Sequence, residues 1–96
     1  MQVYSISYDL NSPGQNYTGL FIEIKSLGSW WHCLDSSWLV ATNLSAVHIR
    51  DRLITKIDKN DKLLVACLSG EAAWQGFEKQ CSEWLKDSFQ REYHAM

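Results

Sequence analysis

The feature that most constrains the fold is the order in which strand-like and helix-like hydrophobic patterns follow one another along the chain. Residues 2–9 alternate between two faces and are rich in β-branched and aromatic side chains, which predicts a strand. The turn signal Asn-Ser-Pro-Gly at 11–14 ends it. Apolar residues then recur at helical spacing, with Asn16 as the predicted N-cap and Gly28 at the predicted helix end.

The same alternation of patterns continues to the end of the chain. Two short strands, 30–35 and 37–42, are predicted either as a hairpin or as one bent strand with a bulge. A helix is expected to begin near Ser45, and the continuous apolar run 62–68 predicts a central strand. After residues 69–70, helical spacing predicts an amphipathic C-terminal helix whose apolar stripe contains Trp74, Phe77, Cys81, Trp84 and Leu85.

This order, β-α-β-β-α-β followed by a helix, predicts an α+β fold of the ferredoxin-like, split βαβ type. Both central helices would pack on one face of an antiparallel sheet. The chain has 96 residues and contains no linker or repeat, so we expect residues 1–96 to form one domain around a modest core. The added helix must cover the open sheet face, a sheet edge or a partner subunit.

Charge and cysteine content exclude several classes of protein. A net charge of −2 argues against a nucleic-acid binder that relies on bulk positive charge. No apolar run approaches the roughly 20 residues that span a bilayer, and no signal peptide is visible, so we expect a cytoplasmic protein without membrane contact. Cys33, Cys67 and Cys81 are odd in number and widely spaced, which predicts reduced, mostly buried thiols and argues against a disulfide scaffold or zinc site.

Asp9 is the strongest candidate for chemistry, because it places a carboxylate at the carboxyl end of the first strand, ahead of a turn rich in hydrogen-bonding side chains. Carboxylate oxygens suit Mg²⁺ or Mn²⁺, and two Asp9 side chains could converge in a two-fold dimer to support metal-assisted phosphodiester hydrolysis. The alternative is that Asp9 only bonds turn amides. The candidate substrate-binding residues are Tyr8, Asn11, Gln15, Asn16, Arg50 and Arg52.

Two further segments carry candidate surfaces. Residues 48–62 hold five cations against three aspartates, which could contact phosphates, although a solvated helix face is the more common meaning of such a pattern. Trp30, Trp31 and Trp38 crowd one β region, where neighbours in sequence alternate faces, so at least one of them should face outward. Such an exposed tryptophan favours a dimer interface over a base-stacking platform.

Three strings in the sequence resemble a small bacterial and phage family whose members carry a "SinR-like" or hypothetical-protein label. They are Ser-Ile-Ser-Tyr-Asp-Leu-Asn-Ser-Pro-Gly-Gln-Asn-Tyr at 5–17, Ile-Arg-Asp-Arg-Leu at 49–53, and Leu-Ser-Gly-Glu-Ala-Ala-Trp-Gln-Gly-Phe at 68–77. The likeness covers roughly residues 4–86. More distantly, Tyr8-Asp9-Leu10 and the order of elements resemble the smaller CRISPR adaptation protein and the VapD toxins.

The distant resemblance implies a ferredoxin-like homodimer and a metal-dependent nuclease in which Asp9 is the metal-binding acid. The sequence departs from the adaptation proteins in its acidity and in a helical pattern where they have a final sheet-extending strand. Two functions therefore stay open. The first is a nuclease of the CRISPR-adaptation or VapD-like type, acting on RNA by preference. The second is a non-catalytic interaction module, such as a toxin–antitoxin partner or a phage or host-defence factor.

Overall fold

The computed structural model describes the backbone of residues 1–93 and the side chains of residues 1–89. It contains four strands and three α-helices, and a short 3-10 turn, Ile54–Lys56, extends the second helix. In chain order the elements are β1 (Gln2–Asp9), α1 (Thr18–Lys25), β2 (Ser29–Leu34), β3 (Ser37–Thr42), α2 (Ala46–Leu53), β4 (Lys62–Leu68) and α3 (Lys79–Tyr93). The predicted α+β class is confirmed.

The four strands form one antiparallel sheet in the order β2-β3-β1-β4. The hairpin alternative for residues 30–42 is confirmed, with a register irregularity between Trp31 and Leu34. The central position predicted for 62–68 is wrong, because β4 pairs only with β1 and lies at an edge. Its apolar run is only partly used in packing: Leu63 and Val65 pack on the helix-side core and Leu68 on the opposite core, whereas Leu64 and Cys67 are exposed.

The helices α1 and α2 pack on the same face of the sheet and build the larger core. Alternate residues of the inner strands, such as Ile6 and Val40, are buried there against Leu20, Ile24 and Ile49. Each fully buried aliphatic side chain of this kind contributes about 1.5–3 kcal/mol relative to an exposed one. The start of α2 is as expected, since the Ser45 hydroxyl accepts a hydrogen bond from the amide of His48 at 3.1 Å.

The start and end of α1 differ from the sequence prediction. The helix begins at Thr18, and the Asn16 side chain accepts a hydrogen bond from the Thr18 amide at 2.9 Å, just ahead of the first turn. The helix is capped by Ser26, not by Gly28. Glycine is needed at position 28 for another reason, since a Cβ there would collide with the carbonyl oxygen of Ala41 on β3. Gly28 therefore allows the chain leaving α1 to pass close beside the sheet.

The added helix α3 covers the open face of the sheet, which is the first of the three predicted alternatives. Leu85 and Phe89 are buried against Val3, Trp31 and Ala41. The helix begins later than predicted, at Lys79. Residues 71–78 form an irregular segment with a left-handed glycine at position 76 (φ +92), and two members of the predicted stripe, Trp74 and Phe77, lie in it and still pack on this second core.

The prediction of reduced, mostly buried cysteines is wrong. Cys33 on β2 and Cys81 on α3 form a disulfide, whereas Cys67 on β4 is free and exposed. The two bonded residues are 48 positions apart, so no local spacing signals the pair; they meet because α3 packs across the sheet face that contains Cys33. None of the helices described in residues 1–93 is both long and apolar enough to cross a membrane.

Candidate functional site

Asp9 is the last residue of β1 and is exposed, directly across the ladder from Lys62 at the start of β4. By strand alternation it shares a face with Val3, but α3 packs at the Val3 end and leaves the Asp9 end uncovered. A shallow open cavity of about 240 Å³ lies at this uncovered end. Its lining residues are Ser7, Tyr8, Asp9, Lys62, Leu63 and Leu64.

The Asp9 carboxylate has no hydrogen-bond or ion-pair partner within the part of the chain that the structure describes. Only its backbone is used, the carbonyl oxygen accepting a hydrogen bond from the Asn11 side-chain amide at 3.2 Å. The alternative in which the Asp9 side chain bonds turn amides is therefore not what the structure contains. An exposed carboxylate without a partner keeps its oxygen lone pairs for a ligand.

Asp61, and not Asp9, is the carboxylate that accepts hydrogen bonds from loop amides. One of its oxygens accepts a hydrogen bond from the Asn11 amide at 2.7 Å, and the other accepts one from the Asp58 amide at 2.8 Å. The Tyr17 hydroxyl lies 2.8 and 2.9 Å from the two oxygens. This carboxylate thus joins the loop after β1 to the loop before β4, whereas the sequence analysis counted it only among the three aspartates of residues 48–62.

These contacts shift the pKa values of both side chains. Partial burial by itself raises the pKa of Asp61, but the hydrogen bonds from the amides of Asn11 and Asp58 and from Tyr17 outweigh it and hold the pKa below its usual value. The pKa of Tyr17 is raised, first by partial burial and then by the hydrogen bond to the Asp61 carboxylate and its negative charge. Asp61 is therefore held ionised and Tyr17 neutral at pH 7.

Further contacts between the same two loops fix the strand end that carries Asp9. The Asn11 side-chain amide also donates to the carbonyl oxygen of Asn60 at 3.1 Å, and the Ser12 hydroxyl donates to the Asn60 side-chain oxygen at 3.2 Å. Asn11, predicted to bind substrate, therefore positions the loop. Its bonds hold the ends of β1 and β4 together, so that Asp9 and Lys62 stay side by side.

The other candidates from the first motif make contacts within the chain, and of them Tyr8 also lines the cavity. Tyr8 belongs to the helix-side core, where its hydroxyl accepts a hydrogen bond from the Trp38 indole at 3.0 Å and its ring packs near Phe21. Asn16 is used at the start of α1. Gln15 is exposed, and its backbone amide closes a turn on Ser12. Of this set, Asp9 alone combines an exposed position at the cavity with a charge.

Arg50 and Arg52 are not brought to Asp9. Both lie on α2, in the helix layer on the other face of the sheet. Arg52 forms an ion pair with Glu23 at 2.8 Å and donates to Ser26, which ties α2 to α1. Arg50 forms an exposed ion pair with its neighbour Asp51. The basic segment therefore acts largely as a solvated helix face.

The three tryptophans predicted at a dimer interface separate into two groups. Trp31 and Trp38 are buried, one in each core of the chain itself, so the expectation that they form an intermolecular surface does not fit. Trp30 is the outward-facing member, 42% exposed, with the Lys25 ammonium 4.9 Å from its ring centroid. Only Trp30 remains available for a partner.

The described residues contain no group of three or more His, Cys, Asp or Glu side chains that could enclose a metal ion. A cation at Asp9 would therefore need further ligands from a second copy of the chain, from water or from the substrate. Mg²⁺ sites in proteins often combine one or two carboxylates with water and substrate phosphates.

Comparison with known proteins gives one informative likeness. A solved structure described as a hypothetical protein, TT1823 from Thermus thermophilus, superposes with a TM-score of 0.63 at 19% sequence identity, covering 79% of this chain and 92% of that one. No protein-family model and no curated protein matches the sequence. At this identity the likeness concerns the fold alone.

Proposed function

We propose that the chain is a metal-dependent nuclease-like protein of the CRISPR-adaptation or VapD-like type, active as a homodimer in the cytoplasm and acting on RNA by preference. The observation that carries this proposal is the exposed, unpartnered Asp9 carboxylate at the open cavity. The strand order β2-β3-β1-β4, with α1 and α2 on one face, supports the finer assignment to the ferredoxin-like, split βαβ class.

The chemistry would be hydrolysis of a phosphodiester bond. Asp9 would hold Mg²⁺ or Mn²⁺, and the bound cation would lower the pKa of a water molecule and polarise the phosphoryl group. Lys62, across the ladder from Asp9, supplies a positive charge beside the cavity that would attract the phosphate. The cavity is open and shallow, as an extended nucleic-acid backbone requires.

The uncovered end of the sheet supports a two-fold dimer around this site. Leu64 lies on the same face as Asp9 and is 64% exposed, although its neighbours Leu63 and Val65 are packed on the core. Association of two copies through this area would bury Leu64 and bring the two Asp9 carboxylates towards each other. The second carboxylate would complete the donor set that one copy lacks.

The test compares Asp9→Asn with Asp87→Asn, which removes the same charge from an exposed position on α3. Purified wild type and Asp87→Asn should cleave RNA when Mg²⁺ or Mn²⁺ is added and stop when it is chelated. Asp9→Asn should lose this cleavage while keeping the wild-type unfolding transition. Unchanged cleavage in Asp9→Asn, or inactive wild type with both metals, would reject the proposal.

A second candidate function is a non-catalytic interaction module, such as a toxin–antitoxin partner or a phage or host-defence factor. It is favoured by exposed apolar side chains on neighbouring elements, namely Val47 on α2, Ile54 and Leu64. It is also favoured by the acidic net charge and by the lack of a three-residue ligand group in the described residues. This function predicts no hydrolysis with any divalent metal and a stable complex with a protein partner, weakened by Leu64→Ser.

A further inference from the structure

The disulfide between Cys33 and Cys81 lies at an open cleft and not in a sealed core. Both cysteines are half-buried, and together they border a cleft of about 360 Å³. The other residues lining this cleft are Trp30, Trp31, His32, Gln80 and Trp84. A disulfide in such a position is accessible to a thiolate, in contrast to one enclosed by packing.

The bond is part of a concentrated attachment of α3 to β2. Trp31 donates its indole N–H to the carbonyl oxygen of Cys81 at 3.1 Å, and Trp84 donates its own to the Ser29 hydroxyl at 2.9 Å. The Trp31 ring also contacts Phe77 edge-on, with centroids 5.1 Å apart. The beginning of α3 and the irregular segment before it are therefore held on one edge strand of the sheet.

An open groove borders the irregular segment 71–78. This groove, of about 400 Å³, lies between this segment, α3 and the sheet, and Leu39, Leu68, Trp74 and Phe89 are among its lining residues. Side chains that line an open groove contact solvent on that side and not other side chains. The disulfide is the covalent part of an attachment that also includes the Trp31 and Trp84 hydrogen bonds and the packing of Leu85 and Phe89.

We propose that Cys33–Cys81 is a reversible redox site for a dithiol reductant, and that its reduction releases the beginning of α3 and residues 71–78 from β2. A thiolate of the reductant attacks one sulfur of the bond, forming a mixed disulfide and releasing the other cysteine as a thiolate. The second thiol of the reductant then displaces the first cysteine. The protein gains two electrons and two protons as two thiols, and the reductant becomes a disulfide.

Release of this segment changes which surface the protein presents. Trp31 and Ala41 lie under the covering formed by α3, on the sheet face that is already open at its Asp9 end. Reduction would therefore extend the open region along the face. The inference does not depend on nuclease activity, because it concerns the attachment of α3 whether or not Asp9 binds a metal. Its failure would leave the Asp9 proposal standing.

The test is hydrogen exchange of the oxidised protein before and after treatment with dithiothreitol, with thiol alkylation to count the cysteines released. The disulfide joins residues 48 positions apart. A disulfide that closes a ring of this size typically stabilises a protein enough to change the equilibrium constant for opening by about 30- to 1,000-fold. Amides of α3 should therefore exchange about 30-fold faster or more after reduction, while those of β1 and α1 change little. Alkylation should detect two new thiols in addition to Cys67.

Two variants sharpen the experiment. Cys33→Ser combined with Cys81→Ser should exchange like the reduced wild type with or without dithiothreitol, whereas Cys67→Ser should respond as the wild type does. Three results would overturn the proposal: no reduction of the native protein, reduction without faster exchange in α3, or loss of protection throughout the chain. The wild-type measurement decides the question even when the double variant does not fold.

Discussion

Two aspartates at neighbouring strand ends, Asp9 and Asp61, have opposite surroundings. Asp61 precedes β4 and accepts hydrogen bonds from two backbone amides and a tyrosine hydroxyl. Asp9 ends β1, beside Lys62, and its carboxylate contacts no donor among the described residues. The comparison separates a carboxylate that is hydrogen-bonded within the fold from one whose oxygens are exposed, although both lie next to a turn.

The difference also explains how an open site keeps its shape. The bonds around Asp61 fasten the loop after β1 to the loop before β4, so the strand end that carries Asp9 is held without the use of the Asp9 side chain. Asp61 and its partners therefore position the strand end, and the Asp9 side chain takes no part in positioning it. If one carboxylate both bound the ligand and held the two loops together, substituting it would also destabilise the loops.

The largest expected effect is on activity. Asp9→Ala should reduce metal-dependent RNA cleavage at least 100-fold, because it removes the proposed cation ligand. The same variant should keep its melting temperature within about 2 °C, since exposed positions without partners contribute little to stability. Cleavage assays and thermal unfolding on one preparation check both statements. A large fall in the melting temperature of Asp9→Ala would show that Asp9, like Asp61, stabilises the fold, and would contradict the comparison.

Asp61→Ala should give the reverse pattern. It leaves the amides of Asn11 and Asp58 and the Tyr17 hydroxyl without their acceptor, so the melting temperature should fall clearly more than in Asp9→Ala. Cleavage measured well below the new transition should be largely retained. As a control for charge, Asp58→Ala removes a neighbouring carboxylate and leaves the backbone amide in place. Equal melting temperatures for the two variants would contradict the role given to Asp61.

The stability of the wild type should also depend on pH through Asp61. Its pKa is lower in the folded state than the ordinary value near 3.8, so its contribution is present above that value and is lost as the pH falls through the lowered pKa. Urea unfolding between pH 5 and pH 2 should show this loss in the wild type and a smaller one in Asp61→Asn. If the free energy of unfolding changed with pH equally in wild type and Asp61→Asn, the role assigned to Asp61 would be wrong.

The smallest expected effect is that of Tyr17→Phe, which removes one donor but keeps the ring. The melting temperature should fall less than in Asp61→Ala. Because the pKa of Tyr17 is raised in the folded state, its contribution is present below pH 10 and is lost as the pH rises through the raised value. Wild type should therefore lose stability above pH 10 more steeply than Tyr17→Phe. Spectrophotometric titration of the tyrosines checks the direction.

Sequence patterns predicted those features that depend on neighbouring residues. The bounds of β4, one of the two alternatives for residues 30–42 and the start of α2 near Ser45 follow from local hydrophobic periodicity. The apolar run of β4 did not indicate its edge position, since hydrophobicity along one strand does not specify which strands pair with it. The start of α3 was misplaced because Trp74 and Phe77 continue the helical spacing without being helical.

For the candidate site, the sequence indicated Asp9 but not the residues that support it. The bond between Asn11 and Asp61 joins positions 50 apart, and the disulfide joins positions 48 apart. Such pairs form only once the strands and helices have packed. A hydrophobic pattern or motif within a short stretch of sequence therefore does not predict them. The same holds for the hydrogen bond between Trp38 and Tyr8, which joins positions 30 apart.

The most direct test of the central claim is Mn²⁺ binding, measured by isothermal titration calorimetry on wild type, Asp9→Asn and Asp61→Asn under conditions where all three are folded. The proposal requires metal binding to depend on the Asp9 carboxylate, so wild type and Asp61→Asn should bind the ion while Asp9→Asn shows at least tenfold weaker binding. Equal affinity in wild type and Asp9→Asn, or loss of binding in Asp61→Asn alone, would contradict the division of roles between the two aspartates.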